Sequence, residues 1–68
     1  MGVAKVEEIS ATSTKGFEDA IAQGLARATH TLRGVKSAWV KEQHVRVGDD
    51  GQIVEYQVNL KITFVLEG

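Results

Sequence analysis

Regular alternation of apolar and polar residues marks the last part of the chain, from Ile53 to Leu66. The apolar positions recur at every second residue: Tyr56, Val58, Leu60, Ile62, Phe64 and Leu66. Because successive side chains of a strand point to opposite faces, this pattern predicts a strand with one buried face. We expect that face to pack against a helix.

A helical period occupies the middle of the chain. Its apolar residues are spaced by four, four, three and four positions: Phe17, Ile21, Leu25, Ala28 and Leu32. This spacing places one apolar stripe on a helix over about residues 13–33. Hydroxyls in the Ala11–Thr14 run suit a helix start. Gly34 suits the left-handed position beyond the helix end, and Gly24 is expected to allow close packing on the sheet.

Two further strands flank the helix in sequence. Val3 to Ala11 alternates weakly and predicts the first strand, and Lys36 to Val47 predicts the second. Val45 and Val47 are in the opposite phase to Val40. Since the side-chain period of a strand is two, this change of phase predicts a β-bulge near Gln43–His44.

The segment Gly48–Gly51, with sequence GDDG, lies between the last two strands and predicts a hairpin turn. Its two aspartates also allow a calcium site as a minor alternative. Two carboxylates supply few of the six to eight oxygens that calcium takes, so we favour the turn.

These elements predict an α+β fold of order β-α-β-β, with a three-stranded antiparallel sheet packed on one helix. We expect the whole chain, residues 1–68, to form a single domain. A chain of 68 residues without cysteine is near the lower size limit for folding alone. The last two strands are also longer than one helix can cover. Association into a homo-oligomer is therefore expected.

Composition excludes several classes of function. The net charge is −1 and no basic run is present, so we expect no nucleic-acid binding. No apolar stretch approaches the roughly 18 residues of a membrane span. The first residues, MGVAKVEEIS, lack the layout of a signal peptide, which favours a cytoplasmic protein. No nucleophile motif or phosphate-binding loop is found, so we expect no enzymatic activity.

The only tryptophan, Trp39, is predicted on the sheet face that points away from the helix. That face combines two rows of mostly polar residues: Ser37, Trp39, Lys41 and Gln43, and Gln57, Asn59, Lys61 and Thr63. An indole there anchors a neighbouring subunit, stacks on a planar ligand, or is idly exposed. Gln57 carries both a donor and an acceptor and is suited to the edge of a heterocycle, or it is an ordinary solvated residue.

The sequence resembles the dodecins, small flavin-binding proteins that assemble into hollow dodecamers. The resemblance covers almost the whole chain. It is carried by ATS before the helix, AIAQGLARATHTLRGV, WVKE and EYQVNLKITFVLEG. It implies a homododecamer in which each flavin ring stacks on a tryptophan of the second strand. A glutamine of the third strand bonds the ring edge, which corresponds here to Gln57. The implied role is storage or sequestration of flavin.

One position departs from that family pattern. In an ungapped alignment the flavin-stacking tryptophan falls on Ser37, and Trp39 lies two residues later on the same face, about 7 Å further along. Val65 also occupies a position at which some members carry an arginine suited to phosphate-bearing ligands, which weakens any expectation of coenzyme A binding.

Two hypotheses result. In the first, the chain binds FMN or a related flavin such as riboflavin, with Trp39 stacking, Gln57 bonding the ring edge and Ser37 lining the pocket floor. In the second, it forms a dodecin-like cage without tightly bound flavin, structural or calcium-associated, with Trp39 in a subunit interface.

Overall fold

The computed structural model describes residues 2–66 and contains one helix and one three-stranded sheet. The elements are β1 (Val3–Ser13), α1 (Phe17–Thr31), β2 (Val35–Val47) and β3 (Ile53–Leu66). Their order confirms the predicted β-α-β-β fold. The bounds of β3 agree with the alternation in the sequence, and the final two residues of the EYQVNLKITFVLEG segment lie outside the described residues.

β3 is the central strand and pairs antiparallel with both β1 and β2. Its alternate residues therefore line two different surfaces. The face packed on the helix, here the covered face, contains Val58, Leu60, Ile62 and Phe64 of β3, all buried. The opposite surface, here the bare face, contains Gln57, Asn59, Lys61 and Thr63 of β3 with the residues paired to them on β1 and β2.

The hydrophobic core forms where α1 crosses the covered face. Val58, Leu60 and Ile62 have no exposed surface, and Ala20 of the helix is equally buried. Small residues on the buried side of α1 bring the helix close to the sheet. A Cβ added at Gly24 would lie 3.1 Å from Leu60 Cδ1, which confirms that this glycine allows close packing.

The helix begins at Phe17, later than the predicted start near residue 13. β1 continues through Ser13, which pairs with Tyr56, so the residues expected to open the helix belong to the strand. The Ser13 hydroxyl accepts a hydrogen bond from the Lys15 backbone N–H at 2.9 Å, forming a local turn. The N-cap residue is Gly16, which has no side chain to cap the helix.

The change of phase in β2 occurs at Lys41, between the pairs Val40–Leu60 and Glu42–Asn59. The predicted bulge is therefore real but lies a few residues before Gln43–His44. The shift moves Gln43 opposite the buried Val58, so its predicted place on the bare face was wrong. Glu42 and His44 lie on the bare face instead, opposite Asn59 and Gln57.

The hairpin between β2 and β3 turns through Gly48–Gly51, as predicted. The Gly51 N–H donates to the Gly48 carbonyl at 2.9 Å, and Gly51 has a φ of +81°. Gly34, after the helix, has a φ of +74°, and a Cβ added there would lie 2.8 Å from the Val65 carbonyl oxygen. Both positions adopt a backbone conformation that favours glycine.

The sheet is much longer than the helix that covers it. The 15 residues of α1 span about 22 Å, whereas the 14 residues of β3 span about 46 Å. Apolar side chains near the ends of the strands consequently remain exposed: Val3, Val47, Ile53, Val54 and Leu66. A sheet with uncovered apolar ends is typical of a subunit that packs against other copies.

Candidate functional site

Trp39 lies on the bare face, directly opposite Lys61 in the register of β2 and β3. Its side chain is 62% exposed, and no part of α1 covers this surface. An exposed indole on a surface of mostly polar residues offers a flat apolar surface to a partner. The prediction that Trp39 points away from its own helix is confirmed.

A chain of hydrogen bonds links Gln57 to a carboxylate on the neighbouring strand. Asn59 Nδ2 donates to Glu42 Oε1 at 2.8 Å, and Gln57 Nε2 donates to Asn59 Oδ1 at 3.2 Å. An ionised carboxylate only accepts hydrogen bonds, so Glu42 fixes which end of each amide donates. Gln57 is left with its Oε1 acceptor and one N–H, the pair needed to bind the edge of a heterocycle.

An ion pair crosses the bare face from β2 to β1. Lys41 Nζ lies 3.2 Å from Glu8 Oε1 and 3.3 Å from Oε2, so both carboxylate oxygens contact the same ammonium group. Glu8 is the residue opposite Lys61 on β1. The extra residue of the bulge thus holds the carboxylate that would otherwise be the cross-strand partner of Lys61.

Ser37, predicted to line the floor of the ligand pocket, is exposed on the bare face opposite Thr63. Thr63 Oγ1 is buried and has no hydrogen-bond partner among residues 2–66. At this point the sheet thus carries a short hydroxyl side chain opposite an unsatisfied hydroxyl. Ser37 offers space and a hydrogen-bonding group, but no surface on which a ring can stack.

The three predicted site residues share the bare face but are not gathered at one point. Gln57 lies four residues along β3 from Lys61, the partner of Trp39, which places it about 13 Å away along the strand. Ser37 lies on the far side of Trp39 from Gln57. Within one chain, a ring centred on the indole is therefore well separated from the Gln57 amide.

Two carboxylates of this surface, Glu8 and Glu42, were not predicted as site residues. Both are separated from their partners by many residues, and only the strand register brings them together. The bulge at Lys41 decides that register in β2, and the sequence did not locate it correctly. The one signal in the sequence that could have identified Glu8 is its place in the weak alternation of the first strand, which puts it on the face away from the helix.

The dodecin family model matches residues 3–67. The chain belongs to the dodecin family. The dodecin of Thermus thermophilus, solved as an arginine-to-alanine variant, is 43% identical, with a TM-score of 0.91 and coverage of 100% of both chains. The dodecin of Streptomyces coelicolor is 33% identical, with a TM-score of 0.91, and the match covers 98% of this chain and 94% of that one. None of the curated proteins searched matches the chain.

A third similar dodecin is described as a calcium-chelating immunodominant antigen of Mycobacterium tuberculosis with a novel calcium-binding site. It is 32% identical, with a TM-score of 0.81, and the match covers 96% of this chain and 91% of that one. In the described part of the present chain, no three or more His, Asp or Glu side chains are grouped to hold a metal ion. No helix in that part is long and apolar enough to cross a membrane.

Proposed function

We propose that the protein binds a flavin, FMN or a relative such as riboflavin, for storage or sequestration within a homododecamer. The observation that carries this proposal is the exposed Trp39 on the bare face of a dodecin fold. The indole supplies a stacking surface, and the hydrogen-bonded Gln57 supplies an acceptor and a donor for the ring edge. Ser37 leaves room beside the ring at the pocket floor.

The separation of Trp39 and Gln57 bears on how such a site is built. About 13 Å along the strand is too far for one ring to stack on the indole and also bond Gln57 of the same chain. We therefore propose that each ring stacks on Trp39 of one copy and bonds Gln57 of another. The exposed apolar ends of the sheet support such an assembly, because they need covering by other copies.

A flavin titration tests the binding proposal. We expect FMN or riboflavin and Trp39 to quench each other's fluorescence at a fixed stoichiometry. Trp39→Ala should weaken binding at least about tenfold, as loss of a stacking surface does elsewhere. Trp39→Phe, which keeps a smaller ring, should lose less. Absence of quenching at micromolar flavin would contradict the proposal, and light scattering should give twelve times the mass of one chain.

Mixed assemblies test the division of the site between copies. Trp39→Ala and Gln57→Ala chains each lack one half of every site. When the two variants are refolded together, some sites combine Trp39 of one chain with Gln57 of the other, and flavin binding should partly return. If the two residues act within one chain, the mixture should bind no better than the separate variants.

The second candidate is a dodecin cage without tightly bound flavin, structural or calcium-associated. The serine at position 37 favours it, because the residue on which the family stacks flavin is missing there. The similarity to the calcium dodecin also supports it. In this case Trp39 lies in a subunit interface. Trp39→Ala should then dissociate the oligomer, and added flavin should not change the extent of dissociation.

A further inference from the structure

Lys61 is the cation closest to Trp39 in the pairing of the strands. It faces Trp39 on β2 and Glu8 on β1, so one row across the bare face contains a carboxylate, an ammonium group and an indole. Residues directly opposite each other on one sheet face have Cβ atoms about 5 Å apart. A molecule stacked on the indole therefore has the Lys61 ammonium group within reach of its substituents.

The charge of Lys61 is not paired within the described chain. Among residues 2–66, no carboxylate oxygen lies within 4.0 Å of its ammonium nitrogen. Its neighbour Glu8 is held by Lys41 through both oxygens, at 3.2 and 3.3 Å. Because Lys41 holds the Glu8 carboxylate, the ammonium group of Lys61 remains available to bind an anion.

The other carboxylates of the bare face lie toward Gln57, and one of them, Glu55, is paired with Arg46 at 3.5 Å. Glu42 bonds Asn59, two residues along β3 from Lys61 and toward Gln57. Among the described residues of this face, the charges outside an ion pair are therefore a carboxylate, Glu42, toward Gln57 and an ammonium group, Lys61, beside Trp39. A ligand that matches this arrangement has a planar apolar ring and an anionic group near the part that stacks on Trp39.

We propose that Lys61 is a specificity-determining residue that selects anionic planar ligands, such as a flavin phosphate, over neutral ones. This inference rests on the proposed stacking of a ring on Trp39. The phosphate of FMN carries between one and two negative charges near neutral pH, whereas riboflavin is neutral. A single exposed ion pair with that phosphate should favour FMN over riboflavin about two- to fivefold at low salt.

Charge variants of the assembled protein test this proposal through the ratio of FMN to riboflavin affinity. Lys61→Gln should reduce the ratio to about one. Lys15→Gln removes the same charge near the helix start, outside the bare face, and should leave the ratio unchanged. Lys41→Gln should also lower the ratio, because it releases Glu8 to pair with Lys61. Glu8→Gln should keep or raise it. A ratio that does not respond to Lys61→Gln overturns the proposal.

A second pair of probes separates this proposal from the flavin assignment. Naphthalene-1-sulfonate is anionic and naphthalene-1-methanol is neutral, and both can stack on Trp39 and quench its fluorescence. Preferential binding of the sulfonate, lost in Lys61→Gln, supports the role of Lys61 even if neither flavin binds. If both flavins bind equally well, the flavin function stands and the role of Lys61 is refuted. The role of Lys61 is also refuted if the protein does not prefer FMN and, in addition, either binds both naphthalenes equally well or binds neither.

Discussion

The covered face and the bare face of the sheet are built from alternate residues of the same strand, β3. Val58, Leu60 and Ile62 point to the helix and have no exposed surface, whereas Asn59 and Lys61 between them point away. Within β3, the covered face is a continuous apolar row. The bare face contains hydrogen-bonded amides, the ion pairs Lys41–Glu8 and Arg46–Glu55, and exposed apolar side chains that include Trp39 and Val6.

This difference separates stability from recognition within one short chain. Apolar burial under the helix supplies most of the folding energy, because it is roughly proportional to the area removed from water. Exposed hydrogen bonds and ion pairs contribute little to stability. Residues of the bare face can therefore change with little loss of stability.

The largest expected change in stability comes from comparing adjacent residues of β3 that lie on opposite faces. Leu60→Ala removes a fully buried side chain and should lower the free energy of unfolding by about 2–5 kcal/mol. Asn59→Ala, one residue earlier on the bare face, should cost at most about 1 kcal/mol. Urea unfolding of both variants at one protein concentration measures the difference. Similar losses would mean that the bare face also holds the fold together.

The glycines with positive φ provide a second, smaller contrast. Gly51→Ala places a side chain in the hairpin turn at a φ of +81° with no atom within 4 Å, and should cost about 1–2 kcal/mol of unfolding free energy. Gly34→Ala has the same backbone strain, and its Cβ also meets the Val65 carbonyl oxygen at 2.8 Å. It should therefore cost more than Gly51→Ala, as measured by thermal or urea unfolding. Equal costs would show that β3 shifts easily at Val65.

The covered face could be predicted well from the sequence, whereas the bare face could not. Burial imposes a strict period of two, so the bounds of β3 followed from its apolar residues. The bare face depends on where β2 shifts its phase, and a bulge at Lys41 or at Gln43 satisfies the same apolar pattern. The helix start was predicted too early for a related reason, because Ser13 is a suitable capping residue that instead extends β1.

The ion pair of Lys41 and Glu8 on the bare face makes a third and smaller contribution to the free energy of unfolding. Both side chains are more than 40% exposed, so solvent screens their attraction. We expect Glu8→Gln to lower the free energy of unfolding by less than about 1 kcal/mol, and the loss should shrink further at high salt. Its effect on ligand charge preference should be the more visible one. A large, salt-independent loss of stability would contradict this view.

The smallest expected effect lies at the junction of β1 and the helix, away from both faces. The Ser13 hydroxyl donates to the Asp19 carboxylate at 2.6 Å and the Gln23 amide also donates to it, and these hydrogen bonds lower the pKa of Asp19 below its usual 3.8. A lowered pKa in the folded state stabilises the fold above pH 3.8, and this contribution is lost as the pH falls through the folded-state pKa. Asp19→Asn should therefore be less stable than the unsubstituted chain near pH 6, and the difference should shrink toward pH 3. Because the other carboxylates titrate in both proteins, their effects largely cancel in this difference. A difference that grows on acidification would mean that the Asp19 carboxylate destabilises the junction.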